Sequence, residues 1–318
     1  MGDIHINNPK EVSDNKYFLT EQLVKYVTLM KHPGLITPSA IERCMQIAYN
    51  AKLNSGCLSR QVGAVITDAS FSIKAVGWNS TPQHQVPCNL RHLVRYFNNL
   101  DENEYSSFEI NDEGFGKMLK SKYDDLVNFV KAQNESETIS SYDVVKVLGG
   151  RHYTYCFKDV YQKSNPVHTR SLHAEENAFL QLAKNGGEGI NGGNLFTTAS
   201  SCVLCSKKAY HLGIKNIYYI IPYPDIAQSH IIEFGKPDNE HNPKNILFSG
   251  AIGRAYTSLY TQRIAFKDEL GYLVPDSNNN NDIIKRLNKI TEFFKDGKVA
   301  KGWEEIQKLE SERPSKTE

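Results

Sequence analysis

His173-Ala174-Glu175-Glu176-Asn177-Ala178, answered further on by Cys202-Val203-Leu204-Cys205, is the pair of stretches on which the reading of this chain turns. One imidazole and two thiols are three good ligands for Zn²⁺, an ion that prefers four ligands in a tetrahedron. Three protein ligands leave the fourth place to water, which is the arrangement of a catalytic site and not a structural one. The metal brings the pKa of that water towards neutrality, so a nucleophile exists at working pH. Glu175 supplies what the metal lacks, a carboxylate that moves protons.

The spacing sets where these side chains can stand. Cys202 and Cys205 are one helical turn apart and share a helix face. Ala209, Leu212 and Ile214 continue an apolar stripe until Gly213 and Lys215 loosen it. A helix N-terminus also favours thiolate over thiol. His173 and Glu175 turn by about 200° on an ideal helix, so they converge only in its first turn. Glu176, Ala178, Phe179 and Leu182 carry that helix on, and Gly186-Gly187 stop it. Ser201, just before Cys202, has a hydroxyl able to cap the second helix.

The 318 residues suffice for one large domain or two small ones. Hydrophobic content of 40% and charged content of 23% are those of an ordinary globular protein. The net charge of +1, from 37 basic and 36 acidic residues, argues against a protein that coats nucleic acid. It leaves room for a local basic pocket that takes one nucleotide. Of the six cysteines, Cys44, Cys57, Cys88, Cys156, Cys202 and Cys205, two are assigned to metal. With no secretory signal at Met1-Gly2-Asp3, no disulfide framework is expected. Met1-Gly2 opens like a myristoylation signal, but Ile6 stands where Ser or Thr belongs. No run of eighteen apolar residues predicts a membrane span. A cytoplasmic enzyme is the economical reading.

Taken in order, residues 3–8 read as a short alternating strand without a visible partner. Two readings stand for it: a strand that closes a missing upstream domain, similar to P-loop nucleotide kinases, or a frayed terminus. Leu23, Val24, Val27 and Met30 have helical spacing and predict a helix over 19–30, ended by His32-Pro33-Gly34. Thr37-Pro38 reads as the start of a second helix, with Thr37 as cap and Ile41, Cys44, Met45 and Ala48 as its buried stripe. Residues 60–66 and 73–78 predict a β-hairpin, and Asn79-Ser80-Thr81-Pro82 turns away from it. Leu195-Phe196-Thr197-Thr198 and Ile217-Tyr218-Tyr219-Ile220 predict central strands. Between Cys88 and His173 lies an insertion, at about 90–165. Its residues 101–142 are acidic and polar, and Leu119, Tyr123, Leu126, Phe129 and Val130 suggest one helix. Arg151 to Cys156 is rich in aromatics and brings the chain back to the site. After the Asn tract of 278–281, Ile283, Ile284, Leu287, Ile290 and Phe294 form an amphipathic pattern, followed by a charged tail over 298–318 that reads as solvated. The expected organisation is thus an N-terminal segment or domain remnant (1–36), a main domain (37–275) and a C-terminal helical tail (276–318).

His-x-E followed by P-C-x-x-C is the signature of zinc nucleobase deaminases. The chain carries it with Ser201 in place of proline, a change that loosens the loop but removes no ligand. Arg60-Gln61-Val62-Gly63-Ala64, Gly77-Trp78-Asn79, His173 to Ala178 and Cys202-x-x-Cys205 together resemble the deoxycytidylate deaminase family over roughly 37–262. Cys57 to Gln61, Pro87 to Arg91, Val167 to Arg170 and Phe248 to Tyr256 are similar to the deaminase half of bacterial antiphage dCTP/dCMP deaminases. Those carry an upstream kinase-like domain, whereas no G-x-x-x-x-G-K-[ST] occurs here. The resemblance implies the cytidine deaminase-like α/β/α fold with a mixed central sheet. It implies zinc held by His173, Cys202 and Cys205, Glu175 as proton shuttle, and a free deoxycytidine nucleotide (dCTP or dCMP) as substrate. It also implies a homo-oligomer and a role in antiphage nucleotide depletion. Asn79 would bind the sugar, Ala174 would line the substrate site, and Arg60, Arg91, Arg170 and Lys207 are candidates for phosphate. Trp78 and Tyr223 are pocket or core aromatics. His84, Cys88, His92, His152 and Cys156 could build a second, structural or regulatory metal site, although their irregular spacing suits buried cysteines and hydrogen-bonded histidines better. Two other classes use the same residues: a nucleic-acid editing deaminase, which the charge balance disfavours, and a nucleotide-sensing module without turnover.

Overall fold

The computed structural model describes residues 2–8, 16–133, 139–161, 170–187, 189–222, 226–235 and 239–273. The chain forms two compact units. Among the described residues, one is built from those up to 32 and from 36 to 260, and the other takes in 33–35 and 261–273. The N-terminal strand β1 (Ile4–His5) leads to helix α1 (Lys16–Lys31) and then α2 (Ala40–Ala51). The hairpin β2 (Gly63–Thr67) and β3 (Ile73–Trp78) follows. The insertion supplies α3 (Leu93–Asn98), α4 (Ser107–Asn111), α5 (Glu113–Lys131), α6 (Ser141–Val147) and α7 (Phe157–Tyr161). After it come α8 (Ala174–Asn185), β4 (Asn194–Ala199), α9 (Val203–His211) and β5 (Asn216–Ile221). The first unit closes with β6 (Lys244–Leu247), β7 (Gly250–Ala251) and α10 (Gly253–Tyr260), and α11 (Phe266–Leu273) belongs to the second.

Five strands make one sheet in the order β3-β2-β4-β5-β6. β2 runs antiparallel to both β3 and β4, while β4, β5 and β6 are parallel, so the sheet is mixed. Alternation along its central strands sorts side chains to two faces. Ala64, Ile66, Leu195 and Ile217 pack with Ala178, Phe179 and Ala209 of α8 and α9. Val65, Phe196 and Tyr218 face the other way, onto Cys44, Met45 and Ala48 of α2. The result is the expected three-layer α/β/α order, with both helices that carry the Cys and His motifs on one side of the sheet.

Several local expectations are corrected. The second helix is capped by Ser39, not Thr37. Ser39 and Glu42 form a reciprocal capping box, a stronger start signal than Thr-Pro. Helix α1 forms where its spacing predicts, with Tyr26 and Leu29 as its inward face. Leu23, Val24, Val27 and Met30 are 45–59% exposed. The reason lies in what α1 meets: the Tyr26 hydroxyl bonds the buried carboxylate of Glu42, and Leu29 packs with Ala251 and Leu259. Strand β1 does have a partner within the chain, pairing antiparallel with β7. The insertion contains five helices among its described residues, and Leu119, Tyr123, Leu126, Phe129 and Val130 all lie on one of them, α5, as their spacing suggests. The five helices enclose a core of their own, in which Phe115, Leu119, Leu126 and Val130 of α5 meet Leu93, Val144 and Tyr155, while Phe129 stays exposed. The amphipathic pattern over 283–294, the tail over 298–318, Tyr223 and Val167 to Thr169 lie outside the described residues.

Candidate metal centre and active site

Helix α8 begins where the sequence places its chemistry. His173 is the N-cap residue, with extended backbone (φ −72°, ψ 155°), and Ala174 and Glu175 follow in the first turn. The helix ends at Gly186, whose left-handed φ of 66° a side chain would strain. Helix α9 is built the same way. Cys202 is its N-cap residue and Cys205 sits within its first turn. Ser201 therefore does not cap it as expected. Its hydroxyl is buried without a hydrogen-bond partner, and its carbonyl accepts a bond from the Ser206 hydroxyl.

The two helix starts converge. His173 Nδ1 lies 3.3 Å from Cys202 Sγ and 3.6 Å from Cys205 Sγ. All three ligand atoms fall within 4.8 Å of one another. A tetrahedral zinc ion with N and S bonds of ~2.0 and ~2.3 Å separates such donors by about 3.6 Å, so the donor set fits the ion. Among the described residues, no further His, Cys, Asp or Glu joins the cluster, as an open catalytic site requires. The thiols differ in character. The hydrogen bond from Cys205 brings Cys202 down to about 4, against the effect of burial. The same bond, followed by burial, pushes Cys205 up. The bond to Cys202 raises His173, in spite of desolvation.

Glu175 stands beside this cluster, 4% exposed. Burial raises its carboxyl pKa, with the His173 charge and the Thr197 bond opposing. The Thr197 hydroxyl is 3.3 Å from Glu175 Oε1 and 2.8 Å from the Ala199 carbonyl. One hydroxyl hydrogen serves one acceptor at a time. When it serves Ala199, the Thr197 oxygen can accept from a protonated Glu175, so the pair suits a carboxyl that gains and loses a proton. Thr197 escaped the sequence reading because, on a buried strand, it carries no motif signal.

The turn after β3 is tied into the site from both sides. Asn79 accepts from the Val62 amide and donates to the Arg60 carbonyl, both at 2.7 Å. The half-buried Trp78 offers its carbonyl to Asn177 of α8 at 2.9 Å. Gly77 makes this approach feasible: a Cβ there would stand 2.3 Å from the Ala174 carbonyl oxygen. Ala174 itself is buried against the sheet. Arg60 is exposed at the edge of a cleft of about 500 Å³ that it shares with Lys52, Ser55, Gln61 and Asn89. Lys52 was invisible as a candidate because it belongs to no motif.

Other candidates are engaged elsewhere. Arg91 is wholly buried in the insertion, paired with Glu109 and Tyr155 and stacked near Tyr105, so it is an interior ion pair and not a phosphate ligand. Arg170 donates to the Val86 carbonyl and the Cys88 thiol, tying the segment that enters His173 to the 86–88 loop. Lys207 is exposed on α9. Among the described residues, a second metal site does not assemble from the other histidines and cysteines, in line with their irregular spacing. His84, Cys88, His92, His152 and Cys156 bring no three ligand atoms together, and the rings of His92 and His152 instead lie against each other, tilted by 33° with centroids 3.6 Å apart. No helix among the described residues is long and apolar enough to cross a membrane.

Residues 38–221 match the family described as the cytidine and deoxycytidylate deaminase zinc-binding region, and the chain belongs to that family. It is 27% identical over 180 residues to the deoxycytidylate deaminase of Enterobacteria phage T2, covering 56% of this chain and 78% of the relative. It is 25% identical over 179 residues to the phage T4 deoxycytidylate deaminase, covering 56% and 76%. Among solved structures, the dCMP deaminase of cyanophage S-TIM5 in complex with dCMP and dUMP is 22% identical, with a TM-score of 0.36 over 67% of this chain and 99% of that one.

Proposed function

We propose that this protein hydrolytically deaminates free deoxycytidine nucleotides, dCMP or dCTP, to the uracil nucleotides. The observation that carries the reading is the three-ligand cluster with a buried carboxylate beside it, in a family that includes deoxycytidylate deaminases. His173, Cys202 and Cys205 would hold a zinc ion, which would supply the Lewis acidity that makes water nucleophilic near neutral pH. Glu175 would take a proton from the attacking water and deliver it to N3 of cytosine, then take the proton of the new C4 hydroxyl and hand it to the departing amine, so that ammonia leaves and the C4 carbonyl forms. Its raised pKa suits both directions of transfer. Thr197 offers the carboxyl a resting partner when it is protonated. Asn79, rigidly held by the 60–62 backbone, presents its remaining amide hydrogen and lone pair to the sugar. Arg60, with Lys52 in the same cleft, provides the cationic surface for phosphate. Homo-oligomerisation and depletion of deoxycytidine nucleotides during phage infection belong to the same reading.

The test is a substrate panel: zinc-loaded protein with dCMP, dCTP, CMP and a cytosine-bearing oligonucleotide, followed by release of ammonia and appearance of uracil. Turnover of dCMP or dCTP supports the proposal. Turnover of the oligonucleotide alone replaces it with editing, and nucleotide binding without turnover replaces it with sensing.

A further inference from the structure

The metal ligands come from the starts of two helices, and one contact besides the ligands themselves spans the same gap. Glu176, the third residue of α8, forms an ion pair with Lys208 of α9. Glu176 stands three residues after the N-cap residue His173, the position from which a carboxylate reaches back to the first backbone amides of its helix. Burial alone would raise its pKa, but the Lys208 bond and charge outweigh it and hold it below the usual carboxylate range. Lys208 lies one helical turn beyond Cys205 on α9. A single carboxylate in the first turn of α8 is thus tied to the helix that carries the thiol ligands. Its neighbour Glu175 points elsewhere, to Thr197. The two adjacent glutamates divide the work. The pair is 43% exposed at Lys208 and 28% at Glu176, a setting in which an ion pair adds little to global stability.

We propose that Glu176 and Lys208 form a clasp that sets the spacing between the starts of α8 and α9, so that His173, Cys202 and Cys205 are already in register when zinc arrives. They are positioning residues for the metal centre, whichever cytosine nucleotide is the substrate. A preorganised ligand set binds its ion more tightly because less ordering remains to be done.

Zinc affinity of the purified full chain, measured by competition with a chromophoric chelator, tests this. Lys208→Met and Glu176→Gln should each lower affinity about 10-fold, the lower end of what partners behind the ligands contribute. The double variant should lose no more than the worse single, since both remove one contact. Lys208→Arg, which keeps the charge, should return affinity to within about 3-fold. The thiolate-to-cobalt absorption band of the Co²⁺-loaded protein should shift in Lys208→Met and return in Lys208→Arg. Urea midpoints of the metal-free proteins identify a variant that has merely lost its fold, in which case the other single variant decides. Folded single variants with wild-type zinc affinity, or losses that simply add in the double, overturn the clasp.

Discussion

Replacing Glu42 by glutamine removes one charge from a carboxylate that gathers three separate elements. Glu42 Oε1 accepts from the hydroxyls of Tyr26 and Tyr260, at 2.9 and 2.7 Å, and from the Ala251 amide at 3.1 Å. Oε2 accepts from Lys25, the Ser39 amide and the Ser39 hydroxyl at 2.9–3.0 Å. An amide cannot satisfy this set. Its NH₂ would be placed at the Oε1 side, where both tyrosine hydroxyls can turn round to accept, but the Ala251 N–H is then orphaned. Burial on its own would raise the Glu42 pKa. The Ser39, Tyr260, Lys25 and Ala251 donors outweigh it and bring the carboxyl from 4.5 down to about 2. A shift of that size corresponds to about 3 kcal/mol of stability. Water at Lys25, whose side chain is 29% exposed, trims this to about 2 kcal/mol. Glu42→Gln should therefore unfold about 4–8 °C earlier at pH 7. Because the folded pKa is depressed, the wild-type advantage is complete above about pH 4.5 and fades as pH falls towards 2. Urea denaturation of both proteins at pH 7 and pH 3 measures it, and the gap at pH 3 should be roughly half or less of that at pH 7. Equal stabilities at pH 7, or a gap that ignores pH, would refute the reasoning.

Four further outcomes follow from the same geometry. Glu175→Gln should retain stoichiometric zinc and lose about 10²–10⁴-fold in kcat, read by ammonia release and metal analysis. Stripping zinc with a chelator should abolish turnover and lower Tm, and zinc at about 100-fold over its Kd should restore about 2.7 kcal/mol, seen by thermal melts with added metal. Glu109→Gln strips the negative partner from the wholly buried Arg91 and should cost about 3–5 kcal/mol, read from the urea midpoint, whereas an exposed Lys120–Asp124 pair should cost under about 1 kcal/mol. Gly77→Ala drives a methyl into the Ala174 backbone and should lower kcat/KM and stability together, because α8 must move away from β3.

By itself the sequence determined the chemistry. Metal-ligand types and their spacing are local properties, so His173, Glu175, Cys202 and Cys205 were legible before any fold was known. The strands over 63–67, 73–78, 194–199 and 216–221 were legible for the same reason, since short apolar and β-branched runs bounded by turn residues are a local signal. Tertiary structure alone decided which face of α1 turns inward, because Glu42 and Ala251, far along the chain, supply the partners that bury Tyr26 and Leu29. It decided that Arg91 is an interior ion pair, since its partner Glu109 is set by the packing of the insertion. It also paired β1 with β7 and Glu176 with Lys208. Contacts between residues remote in sequence leave no periodicity, and only the folded chain brings them together.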